Sequence, residues 1–78
     1  MISEALLPMF AALADETRWS ILTALGEADA SASALAGHLP VSRQAIAKHL
    51  AVLQEVGLVE PVRVGREVRF RVVGAELS

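Results

Sequence analysis

A mainly α domain closed by a small β-hairpin is the fold class this sequence predicts, and three observations predict it. Apolar residues recur at spacings of three and four as far as residue 56, Ser or Asp stands ahead of each such stretch, and the period switches to alternation after Gly57. The 78 residues read as one domain, 1–78, with no linker, low-complexity tract or internal repeat. A single core is marginal at this length, and the 54% hydrophobic content shows how much of the chain must enter it.

Four helices are expected. Ser3 can cap a first one running to about Leu13, with Leu6, Leu7, Phe10 and Leu13 on one wide apolar side. Asp15 can cap a second, with Glu16 complementing the helix dipole; it carries Trp19, Ile21, Leu22 and Leu25, and Gly26 is expected to stop it. Trp19 reads as a core residue. Ser31 can cap a short third helix through about His38, and Pro40 prevents its continuation.

Ser42 then caps a fourth helix over roughly 43–56. Ile46, Leu50 and Leu53 form its stripe, with His49 and Val56 at the flanks, and Gly57 is placed as the left-handed residue past the end. Two short helices joined by a tight turn, the second with a clean apolar stripe, meet the requirements of a helix-turn-helix.

After Gly57, Val62, Val64, Val68, Phe70 and Val72 alternate with Arg63, Arg69 and Arg71, which predicts a two-stranded hairpin with one buried side. A three-residue loop, Gly65, Arg66 and Glu67, keeps the faces separate by pairing Val64 with Val68 and Val62 with Phe70. That register sets Arg63 opposite Arg69, a repulsion that a polyanion would relieve. Pro61 cannot donate to a ladder, so its strand should lie at an edge.

The net charge of −2 hides an asymmetry. Residues 1–40 hold one basic side chain, Arg18, against five acidic ones, giving −4; residues 41–72 hold six basic side chains against three acidic ones, giving +3. Glu76 supplies the remaining −1. Nucleic acid on the basic half and plain solvated charge both account for this pattern.

Several function classes drop out. With no cysteine, disulfides, thiolate metal sites and cysteine nucleophiles are excluded. No apolar run approaches the roughly 20 residues of a membrane span and the N-terminus lacks a secretory signal, so a cytoplasmic protein is expected. His38 and His49 have no ligand-spaced acidic or histidine neighbours, and no nucleophile elbow or Gly-rich phosphate loop frames the Ser, His and Asp residues. Neither an enzyme nor a metal or other cofactor is expected.

The fourth helix carries the most specific chemistry. Stepping about 100° per residue from Ile46 leaves Gln44, Lys48, Ala51 and Glu55 on the far side, with Ala45 and Ala47 near its edges. Polar tips set among methyl groups suit insertion into a groove, where Arg can read guanine, Gln can read adenine and the helix N-terminus can meet phosphate. His49 borders the buried stripe and reads as a helix-packing imidazole first and a phosphate contact second.

The segments FAALADETRWSILTAL, LPVSRQAIAKHLAVLQEVGLV and GREVRFRV resemble the ArsR family of bacterial winged helix-turn-helix repressors over about residues 6–72. The resemblance implies a homodimeric transcriptional regulator that binds a palindromic DNA operator, with the hairpin over 58–72 as the wing. Ser42, Arg43, Gln44, Ala45, Lys48 and His49 match the recognition-helix segment, and Arg63 and Arg66 match the wing. A winged-helix module that turns the same helix against a protein partner is the alternative.

The departures narrow what is inherited. Metal-sensing branches place Cys-x-Cys where this chain has Ser31, Ala32 and Ser33, and serine cannot replace a thiolate ligand, so metal sensing is not expected. Ala34 stands where relatives often have a capping Glu, and Ala47 where they often have Ser. The family's terminal dimerisation helix is not in this sequence, which leaves Leu6, Leu7 and Phe10 as the expected surface of a weak dimer.

Overall fold

The structure is a computed structural model and describes residues 4–74. A 3-10 turn, Glu4–Leu6, leads into α1 (Leu7–Leu13), where Pro8 sits in the first turn and its missing N–H costs nothing. The expected cap, Ser3, lies outside the described residues. The Asp15 carboxylate opens α2 (Glu16–Glu27) by accepting from the Arg18 N–H at 3.0 Å. The Arg18 Nε in turn donates to the Ala12 carbonyl at 2.9 Å, which ties the end of α1 to the start of α2.

Two expectations for α2 fail. Gly26 lies inside the helix rather than stopping it, because its φ is not positive and the burial of Leu25 holds the last turn in place. Trp19 is 57% exposed rather than core. Ile21 and Leu25 are the buried residues of this helix, and Trp19 is displaced by about 140° from the centre of their face.

A short strand, β1 (Ala30–Ser31), follows, which periodicity did not announce. The Ser31 hydroxyl accepts from the Ala34 N–H at 3.1 Å and caps α3 (Ala32–His38). The chain then turns around Pro40, with the Val41 N–H donating to the Leu39 carbonyl at 2.7 Å. Ser42 caps α4 (Arg43–Glu55) through the Ala45 N–H at 3.1 Å, so α3 and α4 form the expected helix-turn-helix.

Gly57, at φ 81, ends α4 in a Schellman motif. Its N–H donates to the Gln54 carbonyl at 3.0 Å, and the Leu58 N–H reaches back to Leu53 at 2.9 Å. The Leu58 carbonyl accepts from the Val73 N–H at 3.0 Å, which ties the far end of the hairpin to the base of the helix.

The hairpin is β2 (Val59–Val64) and β3 (Glu67–Val72), and the sheet order β1-β3-β2 puts Pro61 on an edge strand as expected. Its register is not the expected one. The loop is two residues, Gly65 and Arg66, and pairs Val64 with Glu67, Val62 with Arg69 and Pro61 with Phe70. Gly65 at φ 63 followed by a residue without positive φ fits a type II′ turn, whose twist matches that of the strands. The turn's own bond makes Val64 and Glu67 a hydrogen-bonded pair, and alternation then leaves Pro61 where no donor is required.

Mixed faces cost little here because the outer half of the hairpin has no core to cover. Val64 and Val68 are both exposed, whereas Val59, Phe70 and Val72 at the root face inward. Ala12, Ile21, Leu25, Leu35, Ile46, Leu50, Leu53 and Val59 form one buried cluster to which all four helices and the hairpin root contribute. Among the described residues, no helix is long and apolar enough to cross a membrane.

Candidate nucleic-acid interface

With Ile46, Leu50 and Leu53 fully buried, α4 presents Arg43, Gln44, Ala47, Lys48 and Ala51 to solvent. Ser42 is exposed at the cap, its hydroxyl already accepting from Ala45, and Ala45 is half-buried at the edge of the outer face. The outer face is therefore short side chains around three long polar ones. No acidic residue occupies the first turn of α4; Arg43 stands there, against the preference of the helix dipole.

His49 is half-buried. It lies near Asp15, whose carboxyl is held below its ordinary value first by the Arg18 backbone N–H, which burial opposes in part, with the nearby His49 and Arg18 charges adding lesser lowering effects. Among the sequence-predicted contacts, His49 thus sits toward the body of the domain.

On the hairpin, cross-strand partners share a face. Arg63 pairs with Val68 on the same side as Phe70, while Arg69 and Arg71 lie on the other side with Glu60 and Glu67. The expected opposition of Arg63 and Arg69 does not occur, and the repulsion argument falls with it. Arg69 holds Glu67 at 2.7 Å and Arg71 holds Glu60 at 2.6 Å. These are the ion pairs among the described residues, and they leave Arg43, Lys48, Arg63 and Arg66 without a carboxylate partner there.

Arg43 and Arg66, from the start of α4 and the tip of the hairpin, line one open cleft of about 590 Å³ together with residues 31–33, 67–68 and Phe70. Sequence reasoning named both arginines but missed their convergence and the presence of Glu67 beside them, since both depend on the register. Ser31 and Ser33, the positions of the metal-branch cysteines, also line this cleft; the Ser31 hydroxyl serves as the α3 cap. Among the described residues, no group of three or more His, Cys, Asp or Glu side chains is placed to hold a metal ion.

A capped helix-turn-helix, a short-residue outer helix face and a hairpin projecting beside it define a winged helix-turn-helix domain of the DNA-binding class. A helix-turn-helix domain family model matches residues 13–62. An ArsR-like transcriptional regulator from Rhodococcus sp. RHA1 is 70% identical, with 94% of this chain and 67% of that one covered at a TM-score of 0.87. The chain belongs to the ArsR family of winged helix-turn-helix transcriptional regulators.

Two more distant relatives are informative. The winged helix-turn-helix DNA-binding domain of Mb0332 from Mycobacterium bovis, a possible ArsR-family regulator solved as a homodimer, is 27% identical at a TM-score of 0.86, covering 95% of this chain and 71% of that one. The HTH-type transcriptional regulator CmtR of Mycobacterium tuberculosis is 37% identical over all 78 residues. The chain spans 66% of that curated relative's length. An NMR structure describes CmtR from that species as a cadmium metal-sensor; it is 36% identical at a TM-score of 0.75, covering 90% of this chain and 76% of that one.

Proposed function

We propose that the chain is a cytoplasmic, sequence-specific DNA-binding repressor that acts as a homodimer on a palindromic operator. The observation that carries this reading is the α4 face: a Ser42-capped N-terminus followed by exposed Arg43, Gln44 and Lys48, beside a wing whose Arg63 and Arg66 have no carboxylate partner among the described residues. Arg43, Gln44 and Lys48 meet base edges or the phosphates beside them, with Ala45 allowing close approach. Ser42 and the helix N-terminus fix phosphate, His49 steadies the helix from its inner edge, and the wing arginines reach the flanking minor groove or backbone.

The homodimer in this proposal draws support from the Mb0332 domain and from exposed apolar residues on or beside α1: Leu6 at 42%, Leu7 at 53% and Phe10 at 50%. Metal sensing is not part of it. The chain has no thiolate to offer, and the hydroxyl at Ser31 is occupied in capping α3.

Selection from a random duplex pool, followed by anisotropy titration between 50 and 200 mM salt, tests the reading. The expected result is a two-fold symmetric sequence with half-sites spaced by about 34–36 Å or a multiple of it, bound with an affinity that falls steeply as salt rises. Binding that is absent, or indifferent to salt, overturns it and favours a protein partner.

A further inference from the structure

We propose that the cleft between α3, α4 and the wing tip grips a single phosphodiester of the DNA backbone between Arg43 and Arg66, so that Arg43 is a phosphate contact and base reading falls to Gln44 and Lys48. This rests on the DNA-binding reading above and deepens it. Both guanidinium groups belong to exposed residues that line the same open cleft, and neither has a carboxylate partner among the described residues. Arg43 also stands in the first turn of a 13-residue helix, where the dipole disfavours a cation. An anion beside it satisfies the helix N-terminus and both arginines together.

Among the described residues Glu67 is the one acidic residue lining the cleft, and its carboxylate is engaged by Arg69 at 2.7 Å, which offsets its charge toward a phosphate. The hydroxyl of Ser33 supplies a further donor on the α3 side. Gln44 and Lys48, exposed on α4 outside this cleft, remain free to face bases. Arg66 comes from the wing and Arg43 from the recognition helix, so a shared phosphate would fix the angle between the two elements and set the depth at which Gln44 enters the groove.

The test compares the wild-type chain with Arg43→Ala, Arg66→Ala, the double variant and Gln44→Ala. The probes are the duplex selected by the wild-type chain and a scrambled duplex of the same composition. Arg43→Ala is expected to lose affinity by the same factor on both duplexes, whereas Gln44→Ala loses it on the selected duplex alone. In the double variant the slope of log K against log salt should fall by about 0.9 per protomer, the value for one phosphate, and not by about 1.8, the value for two. A loss confined to the selected duplex on Arg43→Ala, or a double-variant fall near 1.8, overturns the clamp while leaving DNA binding intact. Wild-type protein without salt-dependent binding overturns the DNA reading itself, and the clamp with it.

Discussion

Replacing Gly57 and Gly26 by alanine makes the same chemical change at two sites and should move stability in opposite directions. Apart from the adjoining residues and, for Gly26, the backbone of its own helix, neither glycine has a heavy atom within 4 Å of where a new Cβ would lie, so sterics against the rest of the domain drop out and backbone conformation remains. Gly57 holds φ 81 at the end of α4. A left-handed L-residue costs about 1–2 kcal/mol, and the stiffer unfolded chain returns about 0.4–1, which leaves Gly57→Ala destabilised by about 1 kcal/mol. Gly26 lies within α2, where alanine is favoured over glycine by about 0.5–1 kcal/mol, toward the lower end in a last turn. For a domain of this size 1 kcal/mol corresponds to about 4–8 °C in Tm, so thermal unfolding followed by circular dichroism separates the variants readily. Shifts of the same sign would refute the argument, because they would mean that contacts unseen at one site outweigh backbone conformation.

Two further outcomes are expected. Phe10→Glu should weaken self-association about tenfold or more in sedimentation equilibrium, since half of the ring remains to be buried and a charge would have to enter the same contact; unchanged association would place the dimer surface elsewhere. The Asp15 carboxyl is depressed in the folded chain, so its contribution is present above the ordinary value of 3.8 and is lost as pH falls through the lower folded value. Asp15→Asn keeps a good cap without titrating, and its Tm should therefore fall less steeply on acidification than the wild type; parallel curves would contradict the assigned role.

Helix starts were the most legible feature of the chain, because Asp15, Ser31 and Ser42 act through short-range hydrogen bonds that the local sequence specifies. Gly57 was readable for the same reason. The register of the wing was not, because alternation fixes register only where one face of the hairpin is buried. Val64 and Val68 project beyond the core, so the preference of Gly65 for the first position of a type II′ turn decides the pairing there. β1 spans two residues, too few to show a period. Trp19 was a readable miss: its angular offset from Ile21 and Leu25 points it outward, and the same projection places Arg18 on the inner side, where it meets Ala12.

The corrected register changes what the wing can contribute. Counting four arginines on the hairpin suggests a strongly basic wing, yet Arg69 and Arg71 are neutralised by Glu67 and Glu60. The Arg69–Glu67 pair is exposed and the Arg71–Glu60 pair half-buried, and ion pairs this open to solvent add little to stability, about 0–1 kcal/mol each, so their larger consequence is electrostatic: among the described residues they confine the wing's unpaired charge to Arg63 and Arg66. The α4 end of the interface is defined by comparably local devices, the Ser42 cap before Arg43 and the Schellman turn at Gly57 that launches the hairpin. Recognition helix and wing are thus joined through Leu58 and Val73 at one end and face each other across the Arg43–Arg66 cleft at the other. A backbone phosphate seated in that cleft would close the frame at its open side, coupling the depth of the helix in the groove to the position of the wing.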